Sequence, residues 1–70
     1  MTTEKQRKQI GEQLKSHRLK KGFSAKEFAS KLNINPATVT KIEKGYWNFS
    51  IEYLLKFTNQ LDLELIIKEK

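Results

Sequence analysis

Residues 33–45, NINPATVTKIEKG, place side chains that could bind a partner on one side of a short predicted helix. Val39 and Ile42 are apolar and suit burial, whereas the other side is small, hydroxylic or basic. A helix of about nine residues is marginal alone in water, so the rest of the chain must support it. The side chains opposite the apolar pair could make hydrogen bonds and ionic contacts with an anionic partner: Ala37, Thr40, Lys41 and Lys44.

Residue types needed for covalent or metal chemistry are scarce. The chain has no cysteine, which excludes disulfides and thiolate metal sites. His17 is the only histidine, which argues against a zinc site, and we expect it to be a partly exposed helix residue. The sequence has no Ser-His-Asp set and no glycine-rich phosphate loop. We therefore expect no enzyme activity, no catalytic or metal-binding residues and no cofactor.

Length and charge narrow the class of protein further. The 70 residues predict one domain, residues 1–70, which is small enough to gain stability from a second subunit. The net charge is +6, and residues 1–21 hold seven Lys or Arg against two Glu. Residues 51–70 hold three against four. This asymmetry indicates one positive face, which is compatible with nucleic acid, an anionic membrane or solubility alone.

Nothing in the sequence predicts a membrane partner. The longest apolar run is Leu65-Ile66-Ile67, far too short to cross a bilayer. The first residues, MTTEKQRKQ, lack the apolar segment of a signal peptide. We expect a cytoplasmic protein.

Capping signals divide the first part of the chain into helices. The first helix is predicted over residues 4–21, beginning after Thr2 or Thr3, and its many lysines are expected to form a solvated face. Ser24-Ala25-Lys26-Glu27 has the S-x-x-E form of a capping box, so Ser24 is the expected N-cap of the second helix.

The second and third predicted helices are separated by a turn of about three residues. Asn33 tolerates the left-handed conformation in which helices often end. Asn35 then caps the third helix, with Pro36 at its first position, and Gly45 ends it. Residues 24–45 therefore form a helix, a tight turn and a second helix with a free polar face. This arrangement suits DNA, because the second helix can enter the major groove.

The end of the chain is ambiguous. Ser50 is the expected N-cap of a fourth, leucine-rich helix, which leads into LDLELIIKEK. Alternation of apolar residues favours a strand over residues 62–68, with the apolar side formed by Leu61, Leu63, Leu65 and Ile67. A continued helix also fits the spacing of Leu54, Thr58, Leu61 and Leu65, and no Gly or Pro intervenes.

Residues 10–61 resemble the Xre/Cro-type, lambda-repressor-like helix-turn-helix family. The resemblance follows an ordered series: I-G-x-x-L, R, G-[apolar]-S, E-[apolar]-A, [apolar]-x-x-[apolar]-E-x-G, then Ser and a leucine-rich last helix. It implies an all-α, compact four-helix domain that binds double-stranded DNA. It also implies a buried ion pair between Arg18 and Glu43, where the residues alone would allow two unrelated surface charges. Ala29 matches the small residue where the two helices of the motif cross.

The same resemblance implies two sets of DNA contacts. The positions that face bases are Asn35, Pro36, Ala37, Thr40 and Lys41. The positions that meet phosphates are Ser24, Ala25, Lys26, Lys44, Tyr46, Trp47 and Asn48. Tyr46 and Trp47 could instead fill the core. Because two adjacent aromatic residues in a loop cannot both point inward, we expect at least one to meet a phosphate or a partner protein.

Two positions depart from the family pattern. Ala25 stands where glutamine is common, so one side-chain contact to a phosphate is missing. Pro36 and Ala37 cannot make bidentate bonds to a base, which leaves direct reading to Asn35, Thr40 and Lys41. Methyl contacts from Ala37 to thymine, and DNA shape, could add to this reading.

The last helix and tail are similar to those of HipB-type antitoxins, whose final strand pairs with its twofold mate. A strand needs a partner for its backbone groups, and no other segment predicts one, so we expect the partner to be a second copy. The resulting hypothesis is a dimeric autorepressor of a palindromic operator and an antitoxin that binds a HipA-like kinase toxin. The alternatives are a stand-alone phage- or plasmid-type repressor and a protein–protein adaptor.

Overall fold

The computed structural model describes residues 3–70 and contains four α-helices in that part of the chain. They are α1 (Thr3–Lys20), α2 (Ala25–Leu32), α3 (Pro36–Lys44) and α4 (Ile51–Gln60). Thr2, one of the two residues expected to begin the first helix, lies outside the described residues. No helix within residues 3–70 is long and apolar enough to cross a membrane.

Side-chain caps begin the last three helices, as predicted. The Ser24 hydroxyl accepts a hydrogen bond from the Glu27 N–H at 3.0 Å, and the Glu27 carboxylate accepts one from the Ser24 N–H at 3.0 Å. Asn35 caps α3 through its side-chain oxygen, and Ser50 caps α4. These bonds satisfy backbone donors that the helices themselves cannot.

All four helices end in the same hydrogen-bond motif. After each helix one residue adopts positive φ, and the next N–H bonds to the carbonyl five residues back. The residues with positive φ are Gly22 (81°), Asn33 (58°), Gly45 (71°) and Asp62 (57°). Gly22, Asn33 and Gly45 stop their helices as predicted. Asp62 carries no such signal as strong as glycine, yet it ends α4.

The alternative of a continued fourth helix is therefore wrong. Asp62 turns the chain, and the Leu63 N–H bonds to the Thr58 carbonyl at 2.8 Å. The structure assigns no strand anywhere in residues 3–70, so the predicted strand over 62–68 is not seen in the single chain. A strand whose only partner is a second copy would have no ladder here.

The alternating apolar residues of the tail have different surroundings. Leu61 is fully buried in the core of its own chain, because it completes the apolar stripe of α4. Leu63 is half-buried against the same core. Leu65 and Ile67 are exposed, as is Ile66 between them. Only the last part of the predicted dimerisation set thus faces outward.

The core is formed where α3 packs against α1 and α2, and where α2 packs against α4. Phe28 and Phe57 meet edge to face, with ring centroids 5.0 Å apart. Ala29 is completely buried, in keeping with a close crossing of α2 and α3. The buried apolar residues are Leu14, Phe28, Ala29, Leu32, Val39, Ile42, Leu54, Phe57 and Leu61.

The backbones of α1 and α3 approach closely at Gly11. A Cβ atom at this position would lie 2.6 Å from the Ile42 carbonyl oxygen and closer still to that of Glu43. One turn earlier in α1, the Arg7 guanidinium donates to the Gly45 carbonyl at 2.9 Å. A positive group at the carboxyl end of α3 also favours the helix dipole. The first helix therefore fixes the position of the end of α3.

Candidate nucleic-acid interface

The exposed face of α3 is a continuous polar surface supported from behind. Val39 and Ile42 are completely buried and attach the helix to the core. The predicted base-reading residues all lie on the exposed side, together with one of the predicted phosphate contacts. This face consists of Asn35, Pro36, Ala37, Thr40, Lys41 and Lys44. Its small residues allow close approach, and its lysines supply positive charge.

The start of α3 leaves no free N–H in its first turn. Pro36 has none, and the Ala37 N–H donates to the Asn35 side-chain oxygen at 2.8 Å. The Thr38 N–H donates to the Asn35 carbonyl at 2.9 Å. The Thr40 hydroxyl lies 3.5 Å from the Pro36 carbonyl, a long contact that leaves it available to another partner. Contacts from this end of α3 must therefore come from side chains.

The start of α2 has the opposite character. The backbone N–H groups of Ala25 and Lys26 lie in the first turn, where no intrahelical acceptor exists. Ser24 and Lys26 are exposed beside them, whereas the Ala25 methyl group is half-buried against the core. Free N–H groups at a helix start suit a phosphate oxygen. Ala25 thus lacks the side-chain contact of the family pattern but keeps its backbone donor.

The capping box makes the start of α2 sensitive to acid. Hydrogen bonds from the Ser24 N–H and hydroxyl group lower the pKa of Glu27 from its usual 4.5, because they favour the charged carboxylate. A lowered folded-state pKa stabilises the fold above the unfolded pKa, and this contribution is lost as pH falls through the folded pKa.

We therefore expect Glu27 to titrate below pH 4.5 in the folded protein. Ser24→Ala should raise that pKa toward the ordinary value, because both bonds depend on the Ser24 cap. Carboxyl chemical shifts followed by NMR between pH 6 and 2 would measure both proteins, with exposed Glu52 as the internal control. Equal pKa values for Glu27 in the two proteins would contradict the capping-box assignment.

The loop after α3 separates its two aromatic residues. Tyr46 is 71% exposed, and the Lys44 ammonium lies 5.8 Å from its ring centroid. Trp47 packs edge to face on Tyr53 of α4, with ring centroids 5.1 Å apart. Lys44 and Tyr46 are thus together and open to a phosphate, whereas Trp47 mainly fixes the loop to α4. Asn48 is exposed next to it.

Several basic residues beside this loop were not among the predicted contacts. A groove between α1 and the end of α3 is lined by Lys8, Glu12, Lys15, Glu43, Lys44 and Tyr46. Lys56 of α4 places its ammonium 5.7 Å from the Tyr53 ring centroid. In the sequence, the spacing of Lys8 and Lys15 gives one shared face of α1, but not its proximity to α3.

Arg18 and Glu43 form a bidentate ion pair that holds α1 against α3. The Arg18 Nε donates to Glu43 Oε2 at 2.7 Å and its Nη2 donates to Oε1 at 3.0 Å. The Arg18 Nη1 donates to the Phe23 carbonyl at 2.8 Å. Both side chains are more than nine-tenths buried. The pair therefore fixes the end of α3 against the turn that precedes α2.

Comparison with known proteins gives one match. The sequence model of the Helix-turn-helix family matches residues 14–67, which is more than half of the chain. No curated protein and no solved structure matches it. The matched range contains α2, the turn, α3 and α4, and thus every residue of the candidate interface described above.

Proposed function

Because the chain belongs to the Xre/lambda-repressor-like helix-turn-helix family of DNA-binding regulators, we propose that it represses its own operon as a sequence-specific dimer. The proposal rests mainly on one observation. Asn35, Thr40 and Lys41 share an exposed face on a helix held rigidly by buried Val39 and Ile42. Such a helix can enter the major groove and present its side chains to base edges.

Phosphate contacts would fix this helix in the groove from two sides. The free N–H groups of Ala25 and Lys26 lie at the start of α2, and Lys44 and Tyr46 follow the other end of α3. Phosphate contacts set position and orientation, whereas base contacts carry the sequence information. A dimer that neutralises ~8 phosphates would lose several orders of magnitude in affinity between low and moderately high salt.

Enrichment of a randomised duplex library at near-physiological salt tests this function. Sequencing of the bound pool should reveal a palindrome with half-sites about one helical turn apart. Binding without enrichment would contradict sequence-specific repression and favour an adaptor that uses the same fold. The proposal assigns the protein no catalytic role, cofactor or metal.

Two lysines should separate reading from positioning. Lys41→Ala is expected to change the preferred sequence, because Lys41 lies on the groove-facing side of α3. Lys26→Ala is expected to weaken all sequences alike and to reduce the salt slope by about one. Titrations of each variant against the enriched site and random DNA at several salt concentrations would measure this. Equal losses on both DNAs for both variants would refute the assignment.

The exposed tail supports dimer formation. Leu65, Ile66 and Ile67 are all exposed, with Ile67 at 96%. Leu65 also lines a groove with Ile10 and Leu54, so the tail adjoins an apolar surface of α1 and α4. We propose that two tails pair as antiparallel strands, with Leu65 and Ile67 on the covered side. Pairing would satisfy backbone groups that have no ladder in one chain.

Neighbouring isoleucines provide a matched test, because successive strand residues face opposite sides. Ile67→Asp should shift the protein to monomer in sedimentation experiments, whereas Ile66→Asp should leave most of it dimeric. Both variants introduce the same charge one residue apart. Monomer formation by both to the same extent would contradict the alternating pairing, and a monomeric unmodified protein would contradict dimerisation itself.

An antitoxin role is the second candidate. The leucine-rich α4 followed by LDLELIIKEK resembles the end of HipB-type antitoxins, and a HipA-like kinase would be the partner. Co-expression with the product of the adjacent gene should then yield a stable complex that still binds the enriched DNA site. If the two proteins elute separately on size exclusion, the protein is a stand-alone repressor.

A further inference from the structure

We propose that Asn35 acts in base recognition only as a hydrogen-bond donor, so that it selects guanine rather than the adenine that a free asparagine would select. The proposal rests on the proposed function, because it concerns how the same interface distinguishes bases. It follows from the hydrogen bond that begins α3. That bond is present before any DNA is bound.

The side-chain oxygen of Asn35 is already in use. It accepts from the Ala37 N–H at 2.8 Å, and Pro36 supplies no alternative donor. An amide group facing an N–H must present its oxygen there, because two donors would repel. The amide nitrogen therefore points away from the helix start. Asn35 is exposed, and its NH2 group makes no hydrogen bond with the rest of residues 3–70.

Adenine needs both halves of an asparagine side chain. Its major-groove edge presents an N7 acceptor and an N6 amino donor, so bidentate recognition uses the amide nitrogen and the amide oxygen together. Releasing the oxygen from the cap would leave the Ala37 N–H without an acceptor at the start of α3. With the cap kept, the adenine N6 amino group would face the Asn35 NH2, donor against donor.

Guanine matches the group that remains. Its major-groove edge presents two acceptors, N7 and O6, and no donor. Lys41 also offers donors and no acceptor. Thr40 is the one base-reading side chain whose hydroxyl is free to accept or donate. The half-site should therefore be rich in acceptor edges, with a thymine methyl group suited to contact with Ala37.

Variants that keep the cap but remove the donor test this inference. Asn35→Ser and Asn35→Asp both retain a good N-cap, so α3 should stay folded, as circular dichroism would verify. Enrichment from the randomised library should show guanine at one position per half-site with the unmodified protein. Both variants should lose that preference and keep the preferences at other positions. Replacing this guanine with 7-deazaguanine should weaken the unmodified protein ~5-fold, as expected for one lost hydrogen bond.

The outcomes separate this inference from the proposed function. The Asn35→Ser protein should bind the 7-deazaguanine and guanine sites equally. If the position lost in Asn35→Ser is adenine, or no position changes, the donor assignment is wrong while sequence-specific binding stands. If the unmodified protein enriches no position at all, sequence-specific repression fails, and the reading by Asn35 fails with it.

Discussion

Replacing Glu43 with alanine is expected to lower the free energy of unfolding by about 3–5 kcal/mol, because Arg18 would be left charged and buried. Arg18 makes two of its three hydrogen bonds to Glu43, at 2.7 and 3.0 Å. Total stability for a chain of this size is about 4–10 kcal/mol, so the variant should be close to unfolding. Urea denaturation followed by circular dichroism would measure the change.

An exposed ion pair provides the control. Lys21 and Asp62 lie 3.2 Å apart with side chains 46% and 83% exposed, so Lys21→Ala should change stability by less than ~1 kcal/mol. Replacing Arg18 and Glu43 together with methionine and leucine should recover much of the loss, because no unpaired buried charge remains. An unchanged midpoint for Glu43→Ala would mean that the pair is not buried in solution.

Gly11→Ala is expected to destabilise the fold by about 2–3 kcal/mol through overpacking. In an isolated helix the same change would stabilise by about 1 kcal/mol. Here the added carbon would meet the carbonyl oxygens of Ile42 and Glu43, which are backbone atoms and cannot rotate away. The two helices would have to separate, and α3 would lose its contact with α1.

Ser16→Ala in the same helix is the matched control for this prediction. Ser16 is exposed, so alanine there should raise helix propensity without any clash and stabilise slightly. Thermal denaturation of both variants would compare them directly. A higher midpoint for Gly11→Ala than for the unmodified protein would show that α1 and α3 are not in close contact.

Both predictions concern the position of α3, and hence DNA binding. Arg18 and Gly11 do not face the proposed DNA surface, but they fix the helix that carries Asn35, Thr40 and Lys41. A small shift of a recognition helix changes which base edges its side chains can reach. Variants that fold but have a displaced α3 should therefore lose sequence preference before they lose charge-driven binding to DNA.

The sequence alone determined the secondary structure of the motif. Ser24 with Glu27, Asn35 with Pro36, and Gly45 specify helix starts and a helix end through local hydrogen bonds and backbone preferences. These signals act within a few residues, so they can be read without knowledge of the fold. The apolar spacing of Val39 and Ile42 likewise identified the buried side of α3 and, with it, the exposed side.

The tail shows where local signals are insufficient. Leu61 fits both a strand and a helix, and aspartate is only an occasional residue at positive φ. The tertiary structure decides in favour of a helix end at Asp62, because Leu61 is buried against the core and the Leu63 N–H reaches Thr58. The alternation seen in the sequence therefore combines core residues with exposed ones.

Only the tertiary structure decided which groups at the interface remain available. The sequence places Asn35, Lys44 and Tyr46 near α3, but the hydrogen bonds and ring contacts determine what each can still offer. The Asn35 oxygen is used by the cap, and Trp47 is held by Tyr53, while Tyr46 stays open beside Lys44. Lys8 and Lys15 join this surface because Gly11 lets α1 approach α3. Such proximity depends on contacts between residues far apart in the chain, which local sequence patterns do not encode.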